Sequence, residues 1–157
     1  MARKSDNAAL NAFASNLNSD FLDNAFSKTV TFAAGTTGKQ STGTFKIATV
    51  TGTVVLQCFA VNTGASVLTG PLATIEVGTA LSTAGILPQK AVTTWDSKLI
   101  LQNTTLGSSL ELTSTIKKFI VTQDINYKIG TADITGGTVT FYFRWAPISP
   151  DGNVEVA

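Results

Sequence analysis

Side chains able to do chemistry are few in this chain, and they are scattered. There is no histidine and one cysteine, Cys58. The ten carboxylates are Asp6, Asp20, Asp23, Glu76, Asp96, Glu111, Asp124, Asp133, Asp151 and Glu155. Without histidine the usual acid–base triads cannot be assembled, and with one cysteine as well a tetrahedral zinc site is nearly excluded. No G-x-S-x-G elbow is present, and the glycine-rich stretches match neither a P-loop nor G-x-G-x-x-G. A glycosidase needs two carboxyl groups converging on one bond, and these ten are dispersed. Asp124, Asp133 and Asp151 fall in turn-like stretches, where a short carboxylate accepts nearby backbone N–H groups. Asp133 and Asp151 offer oxygen ligands of the kind calcium takes, but no D-x-D-x-D-G run organises them. The expectation is therefore no catalytic residue, no metal and no cofactor.

Aromatic and cationic side chains offer a different chemistry, that of contact. Trp95, in VTTWDSK, stands among polar residues beside an expected turn and reads as an exposed aromatic. Such a ring could stack on a sugar or anchor a protein interface, where Trp, Tyr and Arg carry much of the energy. Tyr142 and Arg144 share the polar face of one strand and are placed to meet a neighbouring subunit. A further apolar series, Leu10, Phe13, Leu17, Phe21, Leu22 and Phe26, recurs at near-helical spacing close to the start.

The elements that position these groups follow from composition. The chain has 157 residues, enough for one domain with a real core. Hydrophobic residues make up 43% and charged residues only 13%, about half the usual share of charge. Such a surface must rely on hydroxyls and amides, or on partners that cover it. There are 25 threonines, whose branched Cβ suits a pleated strand. A formal net charge of +1 lacks the broad positive field on which nucleic-acid affinity rests. Cys58 lies in an apolar run and reads as a small core residue of a reducing compartment. The first residues lack the apolar core of a secretory signal, and nowhere do about 20 apolar residues run unbroken. The expectation is a soluble protein made in the cytoplasm, with no membrane partner.

Residues 1–27 contain neither Gly nor Thr and read as an N-terminal arm, helical or extended, ahead of a β domain over 28–157. From Lys28 onward, short strands alternate with turn signals. Expected strands are Thr29–Phe32, Thr44–Val50, Thr53–Val61, Leu72–Val77, Gly85–Val92, Lys98–Gln102, a long segment within Glu111–Thr122, and Ile125–Ile129. Thr51-Gly52 reads as a hairpin turn joining the second and third of these. Thr138–Trp145 alternates most cleanly: Val139, Phe141, Phe143 and Trp145 fall on one face, Thr138, Thr140, Tyr142 and Arg144 on the other. Strands spaced in this way, with no long helix between them, indicate an all-β, antiparallel sandwich of jelly-roll type with an exposed C-terminal tail.

Two segments carry a family resemblance. ATIEVGTALSTAGILPQ (Ala73 to Gln89) and TADITGGTVTFYFRWAPISPDGNV (Thr131 to Val154) resemble a family of small virion-associated proteins of tailed bacteriophages. The shared features are the EVGT element, the DITGGT turn, the aromatic strand and the terminal P-x-S-x-D-G-N stretch. The resemblance extends over about residues 28–154 and leaves out the N-terminal segment. It implies a non-enzymatic structural component of the virion, assembled from protein made in the host cytoplasm. A capsid decoration (cement) protein binding the major capsid protein is the favoured form, and the trimer favoured for its homo-oligomer comes from the same analogy. A tail, baseplate or fibre accessory, or a carbohydrate-binding module that takes a glycan, are the alternatives. A sandwich fold by itself implies no function, so the particle reading rests on the resemblance.

Overall fold

The computed structural model describes residues 24–33, 41–102, 105–107 and 116–157. Eleven strands lie among them: β1 (Asn24–Ala33), β2 (Gly43–Thr51), β3 (Val54–Asn62), β4 (Thr74–Gly78), β5 (Leu87–Ala91), β6 (Ile100–Gln102), β7 (Thr105–Gly107), β8 (Phe119–Val121), β9 (Ile125–Gly130), β10 (Gly136–Pro147) and β11 (Asn153–Val156). They form two antiparallel sheets. The first runs β1-β10-β3-β6-β7, with β8 also paired to β3, and the second runs β11-β2-β9-β4-β5. The chain is thus an all-β sandwich.

The strand with the cleanest alternation organises the first sheet. Val139, Phe141 and Phe143 are buried, and Trp145 packs partly buried against the same core. β10 lies between β1 and β3, in register from Asn24↔Trp145 to Ala33↔Gly136 on one side and from Val139↔Asn62 to Pro147↔Val54 on the other. β3 is apolar on both faces because it is central: Val54, Leu56, Cys58 and Ala60 face the core. Opposite them, Ile75, Val77, Ile125, Tyr127 and Ile129 of the second sheet close the interior.

Tyr127 is the aromatic hub of that interior. Its ring stacks on Phe141 of the facing sheet at 5.7 Å between centroids and on Phe45 of β2 at 5.1 Å, while Phe32 meets it edge-on at 6.5 Å. Burial disfavours the phenolate and pushes the Tyr127 pKa up to about 12.

Threonine abundance has a direct structural use. On the outer face of the first sheet the Thr140 hydroxyl lies 2.9 Å from that of Thr29 and 3.1 Å from that of Thr63, and Thr138 donates to Thr31 at 3.4 Å. Such cross-strand hydroxyl pairs stabilise neighbouring strands while their methyl groups cover the pleat.

Three expectations are corrected. Thr51-Gly52 is no hairpin: β2 and β3 belong to different sheets, and the chain turns a corner there with Gly52 at φ +62°. A Cβ on Gly52 would press into the Ser149 and Asp151 side chains, so the corner also needs glycine for space. β1 begins at Asn24, so the sheet takes in four residues assigned to the arm. Neither Leu72 nor Lys98 opens a strand; both stand in turns at φ +66°, and the strands start at Thr74 and Ile100.

Among the described strands β1 stands at the sheet edge, and its core-facing row reads Phe26, Lys28, Val30, Phe32. Lys28 carries its ammonium across the seam between the sheets to the carbonyl oxygen of Ala157. An inward-pointing charge on an edge strand hinders further strand addition there.

Candidate interaction surface

The most organised part of the surface is one end of the sandwich. There β3 and β9 end and β4 and β10 begin, and the loops between them interlock around Asn62. Asn62 is fully buried at the last position of β3. Its amide nitrogen donates to the carbonyls of Ser66 at 2.9 Å and Trp95 at 2.8 Å, and its oxygen accepts the Gly64 N–H at 3.0 Å. Buried polar groups that are fully paired make a region rigid and specify one arrangement.

Trp95 is part of this network. A 3-10 turn over Val92–Thr94 carries its ring inward, where it is 0% exposed, and its indole N–H donates to Leu99 O at 2.8 Å. Ser97 Oγ donates to Gly64 O at 2.6 Å and Lys98 Nζ to Thr63 O at 3.2 Å. The 131–135 loop joins through Thr135 N to Thr69 O at 2.7 Å and the Thr69–Gly136 bridge. Leu68 and Ile134 plug the end from below.

All three non-glycine residues with positive φ among the described residues, Leu72 at 66°, Lys98 at 66° and Thr131 at 69°, lie on these loops. Strained backbone persists only where the surroundings over-determine it, and it concentrates at binding and switch regions. Leu72 is the most informative. Ala73 N donates to Gly70 O at 3.0 Å, closing a Gly70-Pro71-Leu72-Ala73 turn, and Leu72 sits where such turns take glycine. Its side chain is 78% exposed.

The residues singled out from sequence meet different fates. Leu10, Phe13, Leu17, Phe21 and Leu22 lie outside the described residues. Phe26 is in β1, its ring stacked on Phe143 at 4.7 Å against the core. Trp95 is no exposed anchor or sugar platform, since it is wholly enclosed. Tyr142 and Arg144 are on the outer face of the first sheet, half-buried, with the Tyr142 ring stacked on Phe59 at 5.0 Å. Among the described residues these do not form one patch: Phe26 and Trp95 pack against the core, whereas Tyr142 and Arg144 stand on the outer face of the first sheet. Sequence reasoning missed Asn62, which gives no local signal, and Leu72, whose signal was Gly70-Pro71 immediately before it.

Three of the described carboxylates, Asp133, Asp124 and Glu76, have structural partners. Asp133 accepts the Thr42 N–H at 2.9 Å. Asp124 accepts the Val50 N–H at 3.1 Å and pairs with Lys46 at 2.6 Å. The Lys46 bond first, and then the Val50 bond, hold the Asp124 carboxyl below its ordinary value. Glu76, buried on the second sheet, pairs with Lys128 at 3.4 Å. Burial pushes the Cys58 thiol well above the ordinary range, away from the reactive thiolate. Among the described residues no three Cys, Asp or Glu side chains gather as a metal site would require, and no helix is long and apolar enough to cross a membrane.

Compared with known proteins, the chain matches no family model, no curated protein and no solved structure.

Proposed function

We propose that this chain is a non-catalytic structural component of a tailed-bacteriophage particle, acting as a decoration protein that binds the major capsid protein through protein–protein contacts. The observation that carries the contact role is the loop end held by Asn62 and Trp95, which presents Leu72 exposed at a strained position. A stiff scaffold loses little conformational freedom on docking, which favours binding. The EVGT and DITGGT elements supply the particle half of the reading, through the resemblance of Ala73–Gln89 and Thr131–Val154 to virion-associated proteins. Both have structural duties here. A Cβ on Gly78 would collide with the Ser82 carbonyl oxygen, and Gly136 pairs with Thr69. The protein acts as a homo-oligomer, for which the family analogy favours a trimer. The test is the composition of purified virions: many stoichiometric copies by quantitative mass spectrometry, located on the head by electron cryomicroscopy. Absence from particles would overturn the proposal, and density on the tail would move the protein to that assembly.

A further inference from the structure

β11 is lightly held. Among the described strands it pairs with β2 alone, from Asn153↔Thr51 to Val156↔Ala48. Asn153, Glu155 and Val156 are exposed, and only Val154 packs against the core. Segments with few buried contacts are the first to open. The edge of β2 beneath it is different. Ala48 and Val50 are buried there, and without β11 their strand would show a bare row of backbone groups. The chain leading into β11 is short and tight. Ile148 N and Ser149 N donate to Thr53 O at 2.8 and 3.1 Å, and Ser149 Oγ accepts the Thr53 N–H at 2.8 Å. That clamp leaves Pro150, Asp151 and Gly152 as the hinge. Gly152 N donates to Ser149 O at 2.9 Å. The turn has no slack, because a Cβ on Gly52 would strike the Asp151 carboxylate and one on Gly152 the Thr53 carbonyl. A short hinge packed in this way invites exchange of the strand it carries.

We infer that β11 of one copy pairs with β2 of a second copy, so that the chain self-associates by strand exchange. The inference rests on the homo-oligomer reading above and names its self-contact. The occupant of the β2 edge is identified by the structure itself, since β11 already fills that edge in register. A second copy's β11 has the same sequence and meets the same partners. Val154 packs on the core, the Ala157 N–H reaches Ile47 O, and the Lys28 ammonium reaches Ala157 O. Every contact of the ladder is kept, so the hinge and the cost of bringing copies together decide the exchange. Straightening the hinge frees Asp151 and Gly152 from the crowded Gly52 corner, and contacts of copy on copy add to that gain. Three residues reach about 11 Å at most, so exchanging copies meet at the corners where β2 turns into β3. Two copies that exchange reciprocally close a dimer, and a cyclic exchange closes a ring.

The test joins the two strands covalently. Thr49 and Glu155 stand directly opposite in the ladder and both are exposed, so Thr49→Cys with Glu155→Cys in the full chain brings two thiols within disulfide reach. Isotope-labelled and unlabelled chains of this double variant are refolded together, oxidised and digested. Peptides linked between positions 49 and 155 should then include pairs of one labelled and one unlabelled strand, which only exchange between copies produces. A second variant of the full chain carries a Gly-Ser-Gly-Ser insertion between Asp151 and Gly152, which lets β11 reach its own β2 without crowding. By sedimentation velocity its self-association should be at least about tenfold weaker than that of the wild type. Linked pairs that are all labelled or all unlabelled, or association unchanged by the longer hinge, would each overturn the inference. The particle reading fails separately, by absence from virions, whatever the linked peptides show.

Discussion

Replacing Asn62 with leucine keeps nearly the same volume but removes all three of the hydrogen bonds that its side chain makes across the loop end. The loss can be worked out bond by bond. The Gly64 N–H keeps a second acceptor, Thr138 O at 3.2 Å, and Trp95 O keeps a second donor, Leu68 N at 3.3 Å. Those two groups are weakened rather than orphaned, at about 0.5–1 kcal/mol each. Ser66 O loses the donor described for it, but Ser66 is exposed and its carbonyl can take water, which holds that loss to about 1 kcal/mol. The sum is about 2–3 kcal/mol, or a melting temperature lowered by roughly 4–12 °C for a domain of this size. Urea unfolding is the assay, with the m-value expected to stay unchanged. Asn62→Asp sharpens the test, because a buried carboxylate would face the two carbonyls that the amide now serves. Its folded pKa should rise, so its extra destabilisation should be absent below about pH 4 and grow as pH rises above that. If Asn62→Leu costs less than about 0.5 kcal/mol, or Asn62→Asp is no worse than Asn62→Leu at pH 7, Asn62 is not the tie of the loop end.

Two further outcomes follow from the core and the charges. Phe141→Ala, which removes a 1% exposed ring from the contact with Tyr127, should cost about 3–5 kcal/mol in urea unfolding; a loss below about 1 kcal/mol would place that face outside the core. Asp124, with its carboxyl held low by Lys46 and Val50, contributes stability that is present above the ordinary carboxylate value and lost as pH falls through its depressed folded value. Because the pair is well exposed, the effect should stay below about 1 kcal/mol, and Asp124→Asn should flatten the melting temperature between about pH 5 and 2 relative to wild type.

What sequence could and could not tell depends on how local each signal was. In β10, and in the Ile125-Tyr127-Ile129 row of β9, one face meets the core and the other does not, so period-two alternation is written into adjacent residues and was legible. Thr51-Gly52 has the composition of a hairpin turn, but whether two consecutive strands pair depends on their other neighbours. β3 takes β10, β6 and β8, and β2 takes β11 and β9. Trp95 misled because Thr93, Thr94 and Asp96 around it are exposed, while only the ring turns inward. Phe26 fits two periods at once, the helical one with Leu22 and the strand one with Lys28 and Val30, and the sheet decides between them. Of the long Glu111–Thr122 segment, Phe119–Val121 is a strand and 111–115 lie outside the described residues.

The position of β10 also bears on how the chain comes into being. It lies between β1 and β3, and the pairing of Asn24 with Trp145 joins residues 121 positions apart. During synthesis at about 5–20 residues per second, β1 and β3 emerge on the order of 10 s before the strand that belongs between them. Until then their apolar edges have no native partner, and the first sheet cannot close. Among the described strands only β4–β5 and β6–β7 pair as sequence neighbours, and the other ladders wait on a distant segment. Long-range pairing of this kind slows folding, and the first sheet cannot be completed before β10 has been made. The unfinished chain therefore carries the facing edges of β1 and β3 unpaired until β10 arrives, the kind of edge on which chains aggregate.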